Sequence, residues 1–120
     1  MGEVVQGIGG VFFRARDPDG LRAWYAEHLG IEMEEYGATF TAKDGDQTVW
    51  APFPADTDYF GSGDQQLMVN FRVGDLDAML EQLRVAGIDV DDRVHEMEYG
   101  RFGWAVDPEG NRFELWEPTA

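Results

Sequence analysis

A chain of 120 residues with 43% hydrophobic content is long enough for one compact domain with a core and too short for two conventional ones. Its 24 acidic residues against nine lysines and arginines give a formal charge of -15, a field that repels phosphate backbones and anionic membrane surfaces. Cysteine is absent, which removes disulfides, thiolate metal sites and a cysteine nucleophile.

The chain starts MGEVVQGIGG, with an acid at Glu3 and no basic stretch, and no apolar run approaches the ~18 residues of a membrane span. The expectation is a soluble, cytoplasmic protein with no nucleic-acid or membrane partner. Val11, Phe13 and Ala15 then alternate with Gly10, Phe12 and Arg14, the period of a strand. Asp17 stands where a helix N-cap belongs, and Pro18 suits the first helical position, where a missing N–H costs nothing. Leu21, Trp24, Tyr25, His28 and Leu29 form one helical stripe, and Gly30 closes it as a left-handed cap.

Short strand-like runs follow at 32–36, 39–43 and 48–53, with the turn KDGD between the last two. Residues 52–64, PFPADTDYFGSGD, are rich in Pro, Gly and Asp and read as a linker. Phe53, Tyr59 and Phe60 make it unusually aromatic, which fits a loop that also covers a pocket.

Next, Val69, Phe71 and Val73 alternate with Met68, Asn70 and Arg72, and Asp75 repeats the N-cap. Leu76, Met79, Leu80, Leu83 and Ala86 make the second helical stripe, ended by Gly87. Strands are expected at 91–97, 101–106 and 112–116, the last two joined by the turn DPEGN.

One constant offset pairs Phe13 with Phe71, Arg14 with Arg72, Asp17 with Asp75 and Asp19 with Asp77; an offset one residue shorter pairs Gly30 with Gly87 and Ile31 with Ile88. The chain therefore reads as one module written twice, at 8–53 and 66–117, joined by loop 54–65. Each module is βαβββ. The fold class expected is α+β, with two modules forming a curved mixed sheet around a cup and one helix per module on the outer face.

Helix-facing strand positions must be apolar, so Val11, Phe13, Ala15 and Val69, Phe71, Val73 are expected to meet the helices. The alternate positions, with Arg112, Glu114 and Trp116 of the last strand, then face the enclosed side. Phe12 and Met68 would be out of place in open water there, which favours an enclosed space or a subunit contact.

On FFRARDPDGLRAWYAEHLGIE, NFRVGDLDAMLEQLRVAGIDV and GRFGWAVDPEGNRFELWEP, almost the whole chain resembles the vicinal oxygen chelate superfamily of glyoxalases, bleomycin-resistance proteins and extradiol dioxygenases. That resemblance implies, for metal-dependent relatives, two His and two Glu side chains that project into the cup and hold one divalent ion. Carried over, the His positions fall on Gly10 and Met68 and the first Glu on Val49 or Trp50; Glu114 alone matches. One carboxylate cannot hold a transition ion, which takes three or four protein ligands. No rebuilt metal site is expected: His28 lies on a helix stripe, and alternation separates His95 and Met97 from Glu96 and Glu98.

The pocket expected is lined by Phe12, Arg14, Trp50, Met68, Asn70, Arg72, Tyr99, Trp104, Glu114 and Trp116. Arg14, Arg72 and Asn70 serve either as polar hooks for an anionic or carbonyl-bearing ligand or as partners of nearby acids. The net charge favours a cation at long range, so the ligand's sign stays open. Glu114 is the one candidate general base. No phosphate-binding glycine motif, nucleophile elbow or histidine triad is present.

The function expected is metal-independent binding of a small organic ligand, with no cofactor. The alternative is a lyase, isomerase or dioxygenase of the glyoxalase type using one divalent metal ion. A third reading, a mainly structural or regulatory module, would be supported if the cup were filled by its own side chains. By its resemblance the protein is expected to be a homodimer, with modules kept or exchanged between subunits.

Overall fold

The computed structural model describes every residue except Met1, Val4, Val5, Gly7, Ser62, Gly63 and Ala120. In chain order it holds α1 (Pro18–Leu29), β1 (Asn70–Arg72), α2 (Leu76–Val85), β2 (His95–Met97), β3 (Gly100–Val106) and β4 (Arg112–Pro118). The strands form one open sheet in the order β1-β4-β3-β2, with β1 parallel to β4 and the other neighbours antiparallel. This is the α+β class expected, with a mixed sheet and one helix from each half of the chain.

Local chemistry sets both helices. The Asp17 and Asp75 carboxylates accept from the backbone N–H groups of Gly20 and Ala78, each at 3.0 Å, and so satisfy a donor that the first turn leaves without a partner. After α2 the chain reverses through Gly87, at φ 79°, and the Ile88 and Gly87 N–H groups close on the carbonyls of Leu83 and Arg84. That paired closure needs a residue free to enter the left-handed region.

The core lies between α2 and the outer face of the sheet. Leu76, Leu80 and Leu83 pack on Ala105, Phe113 and Leu115, all of them buried. Each such large side chain contributes about 1.5–3 kcal/mol through its removal from water. Gly103 lets α2 approach β3, because a Cβ there would lie 3.0 Å from a Leu80 methyl.

Helix α1 joins this same core. Trp24 and Tyr25 sit edge-on or tilted against Phe113, at 6.1 and 5.8 Å between ring centres, and the Tyr25 hydroxyl donates to Asp107 at 2.8 Å. The Glu109 carboxylate accepts from the backbone of Arg16 and Asp17 at 2.7 and 2.8 Å. The DPEGN turn thus organises its own hairpin and clasps the N-terminus of the first helix. Buried Asp107 is its centre, accepting as well from Glu109 N, Asn111 N and Asn111 Nδ2.

The first half differs from expectation. The runs expected as strands at 11–15, 32–36, 39–43 and 48–53 form no ladder among the described residues. Val11 and Phe13, expected to meet a helix, are 52% and 53% exposed. Alternation marks which side of a strand is apolar, but a ladder also needs a neighbouring strand to bond to. Here α1 is held by the second half's core instead of by strands of its own.

Candidate ligand site

Residues directly opposite in a ladder share a face, so the register builds the inner side of the sheet row by row. One row is Asn70, Glu114 and Trp104; the next is Arg72, Trp116, Phe102 and His95. The buried Leu115 and Gly103 fall between the two rows and Phe113 and Ala105 just beyond the first, all on the helix side. Period-two alternation therefore separates core from site within the same strands.

Glu114, 7% exposed, is the hub of the first row. Its Oε1 accepts from Asn70 Nδ2 at 2.7 Å, and its Oε2 accepts from Trp104 Nε1 at 2.9 Å and from the Tyr59 hydroxyl at 2.5 Å. Burial, followed by the bond to Glu114, pushes the Tyr59 phenol well above its ordinary pKa, so the hydroxyl remains a donor at neutral pH. A carboxylate that accepts three hydrogen bonds from neutral groups is held in place on both oxygens.

Beside this hub lies a recess of about 110 Å³ walled by Asp58, Tyr59, Arg93, His95, Trp104 and Arg112. The Arg112 guanidinium stands 5.2 Å from the centre of the Trp104 ring, and its Nη2 reaches Asp91 at 3.3 Å. Among the described residues Arg112 Nε is buried without a hydrogen-bond partner. Arg93 binds the same Asp91 carboxylate at 3.0 Å, and this side-chain bond above all holds Asp91 well below the usual carboxylate range. At the other end of the sheet, a more open recess of about 270 Å³ has Arg72, Tyr99 and Trp116 in its walls, with the turn at Gly45–Gln47 across it. Arg72 is tied to that turn, to Gln47 O at 3.0 Å and to Asp46 at 3.4 Å. Trp116 stacks nearly parallel to Phe102, 6.1 Å between centres.

Of the residues expected in the pocket, Asn70, Trp104 and Glu114 meet at the hub, and Arg72, Tyr99 and Trp116 gather at the second recess. Met68 is half-buried just before β1. Phe12, Arg14 and Trp50 are exposed, Phe12 at 94% and Trp50 at 78%, and line neither recess; among the described residues the segments that carry them join no ladder that would aim them inward. Tyr59, Arg93 and His95 were not among the expected wall residues. Loop aromatics gave the signal for a cover, but no periodicity tells which sheet residue a loop side chain meets.

A glyoxalase-like domain family matches residues 10–116. The chain belongs to that family. Among solved structures the chain is similar to a lactoylglutathione lyase of Agrobacterium tumefaciens, with 19% identity over 96% of both chains and a TM-score of 0.61. It is also similar to TnmS3, an antibiotic-binding protein of a Streptomyces species, with 24% identity over 87% of this chain and 88% of the other and a TM-score of 0.54. A member of the glyoxalase/bleomycin resistance protein/dioxygenase superfamily from Sphaerobacter thermophilus gives 22% identity over 86% and 90%, with a TM-score of 0.53. No curated protein matches the chain. At these identities the structural likenesses establish the fold, and the ligand has to be argued from the side chains.

The residues of this glyoxalase-like domain do not fit a divalent ion at the superfamily's position. Gly10 has no side chain, Met68 offers a thioether, and Val49 and Trp50 are apolar and 73% and 78% exposed. Glu114, the remaining carboxylate, already accepts three hydrogen bonds. Among the described residues no three His, Asp or Glu side chains come together to hold a metal ion.

Proposed function

We propose that this glyoxalase-like protein binds a small, flat organic molecule in the cup of its sheet, without metal. The observation that carries the reading is the Glu114 hub: by the sequence resemblance Glu114 matches a ligand position of metal-dependent relatives, and here Asn70, Trp104 and Tyr59 occupy both its oxygens. The walls of the recess beside the hub suit such a ligand, with Trp104, His95 and Tyr59 offering ring faces and edges and the Arg112 guanidinium lying beside the Trp104 ring.

The protein acts as a homodimer in this account. Large apolar side chains of the first half, Phe12, Phe40, Val49 and Trp50, are each at least 70% exposed, and among the described residues no strand pairs with β1 on the side away from β4. A second copy that covers them removes both the apolar surface and the open edge. The sequence modules at 8–53 and 66–117 and a cytoplasmic location belong to the same proposal, and the acidic charge favours a small molecule over nucleic acid as the partner.

A thermal-shift screen of chelator-treated protein against planar aromatic compounds tests the binding. Stabilisation by at least one compound, with quenching of tryptophan fluorescence that Trp104→Phe abolishes, is the expected result. Stabilisation that appears only when a divalent ion is added back would overturn the metal-free reading.

A further inference from the structure

Tyr59 is seated at the hub as a ligand would be. Its ring lies nearly parallel to Phe53, at 5.4 Å and 21°, and edge-on to Trp104, at 5.9 Å and 90°, while its hydroxyl donates to Glu114. Together these contacts describe a site for a flat ring that carries one hydroxyl donor. The sheet supplies the two polar elements: Trp104 and Glu114 are direct partners in the β3–β4 ladder, and Asn70 opposite Glu114 fixes the carboxylate from the other side.

What holds Tyr59 there is slight by comparison. The backbone hydrogen bonds of residues 54–61 are local turns, Thr57 N to Pro54 O and Gly61 N to Asp58 O, both 3.0 Å. Among the described residues none of that backbone bonds to the sheet. The loop is seated by side chains: the Tyr59 ring and hydroxyl, and the approach of Gly61 to Arg112. Lifting Tyr59 leaves Trp104 Nε1 and Asn70 Nδ2 on Glu114 and opens one acceptor position on Oε2.

We propose that Tyr59 is a resident stand-in for the ligand, and that the cup takes a phenol-class molecule whose ring replaces Tyr59 against Trp104 and whose hydroxyl replaces it on Glu114. This rests on the ligand-binding reading above and adds its chemical class. Because the resident side chain competes, the wild-type affinity is lowered by the fraction of molecules in which Tyr59 has left.

The probe is p-cresol, the tyrosine side chain itself, with toluene as the same ring without the hydroxyl, titrated calorimetrically into wild type, Tyr59→Ala and Tyr59→Phe. Tyr59→Ala is expected to bind p-cresol about tenfold more tightly than wild type, and p-cresol about tenfold or more over toluene, since toluene leaves the opened acceptor without a donor. If Tyr59→Ala does not fold, Tyr59→Phe, which keeps the ring but loses the bond to Glu114, is expected to bind p-cresol several-fold more tightly than wild type. Folded variants that bind p-cresol no better than wild type, or no better than toluene, overturn the phenol assignment. If wild type then still binds a non-phenolic compound in the thermal-shift screen, the small-molecule reading stands without it. If nothing binds wild type or variants, both fall and Tyr59 is a permanent filling of the cup.

Discussion

Replacement of Glu114 separates a hydrogen-bond hub from a relic of metal binding. In Glu114→Ala three donors lose their acceptor, and they are unequally placed: Trp104 is 1% exposed, whereas Tyr59 is half-buried and Asn70 is exposed. A buried indole N–H left without a partner costs about 2 kcal/mol, and the two wetter donors add about 0.5 kcal/mol each, for a loss near 3 kcal/mol. Glu114→Gln behaves differently. Its amide oxygen can accept from Trp104 and Tyr59 while its NH2 faces Asn70, whose own amide turns over to present oxygen, so every group keeps a partner. The charge-assisted strength lost is offset by the smaller cost of burying a neutral group, and the expected change is within about 1 kcal/mol. Urea unfolding followed by tryptophan fluorescence measures both variants. A Glu114→Ala protein within 1 kcal/mol of wild type, or a Glu114→Gln protein as damaged as Glu114→Ala, would refute the argument.

Three further outcomes follow from the same contacts. Asp107→Ala removes the acceptor that joins the β3–β4 turn to Tyr25, and it is expected to cost about 3 kcal/mol in urea unfolding, with Tyr25→Phe costing about 1 kcal/mol. Tyr25 and Tyr59 have phenol pKa values raised by burial and by Asp107 and Glu114, so their contribution is complete below the unfolded value of about 10 and is lost as pH rises past it. Asp91 is lowered, chiefly by Arg93, so its contribution is present above about pH 4 and fades as the pH falls below that. Thermal melts from pH 3 to 11 should show both flanks, and Tyr25→Phe should shrink the alkaline one. Finally, Gly103→Val places carbon where Leu80 already stands and is expected to lower stability by about 2 kcal/mol in the same urea assay.

The parts of the fold legible in the sequence are those that local chemistry decides. Asp17 and Asp75 mark helix starts by accepting from N–H groups three positions on, Pro18 by its fixed φ at the first helical position, and DPEGN marks a hairpin through bonds inside the turn. Alternation likewise put Asn70, Glu114 and Trp116 on the face opposite Phe71, Phe113 and Leu115. What alternation could not supply was a partner. Segment 11–15 alternates as residues 69–73 do, yet β1 has β4 beside it and segment 11–15 has no strand among the described residues. The same limit applies to Tyr59: its aromatic loop pointed to a cover, but the distance in sequence from Tyr59 to Glu114 is bridged only by the folded chain.

The central claim is that Glu114 anchors an organic-ligand cup and holds no ion. Calorimetric titration of chelator-treated protein with nickel, zinc, manganese and ferrous iron tests it most directly. The account predicts no stoichiometric heat with any of the four ions. One ion bound per chain at micromolar or tighter affinity, and lost in Glu114→Gln, would contradict it.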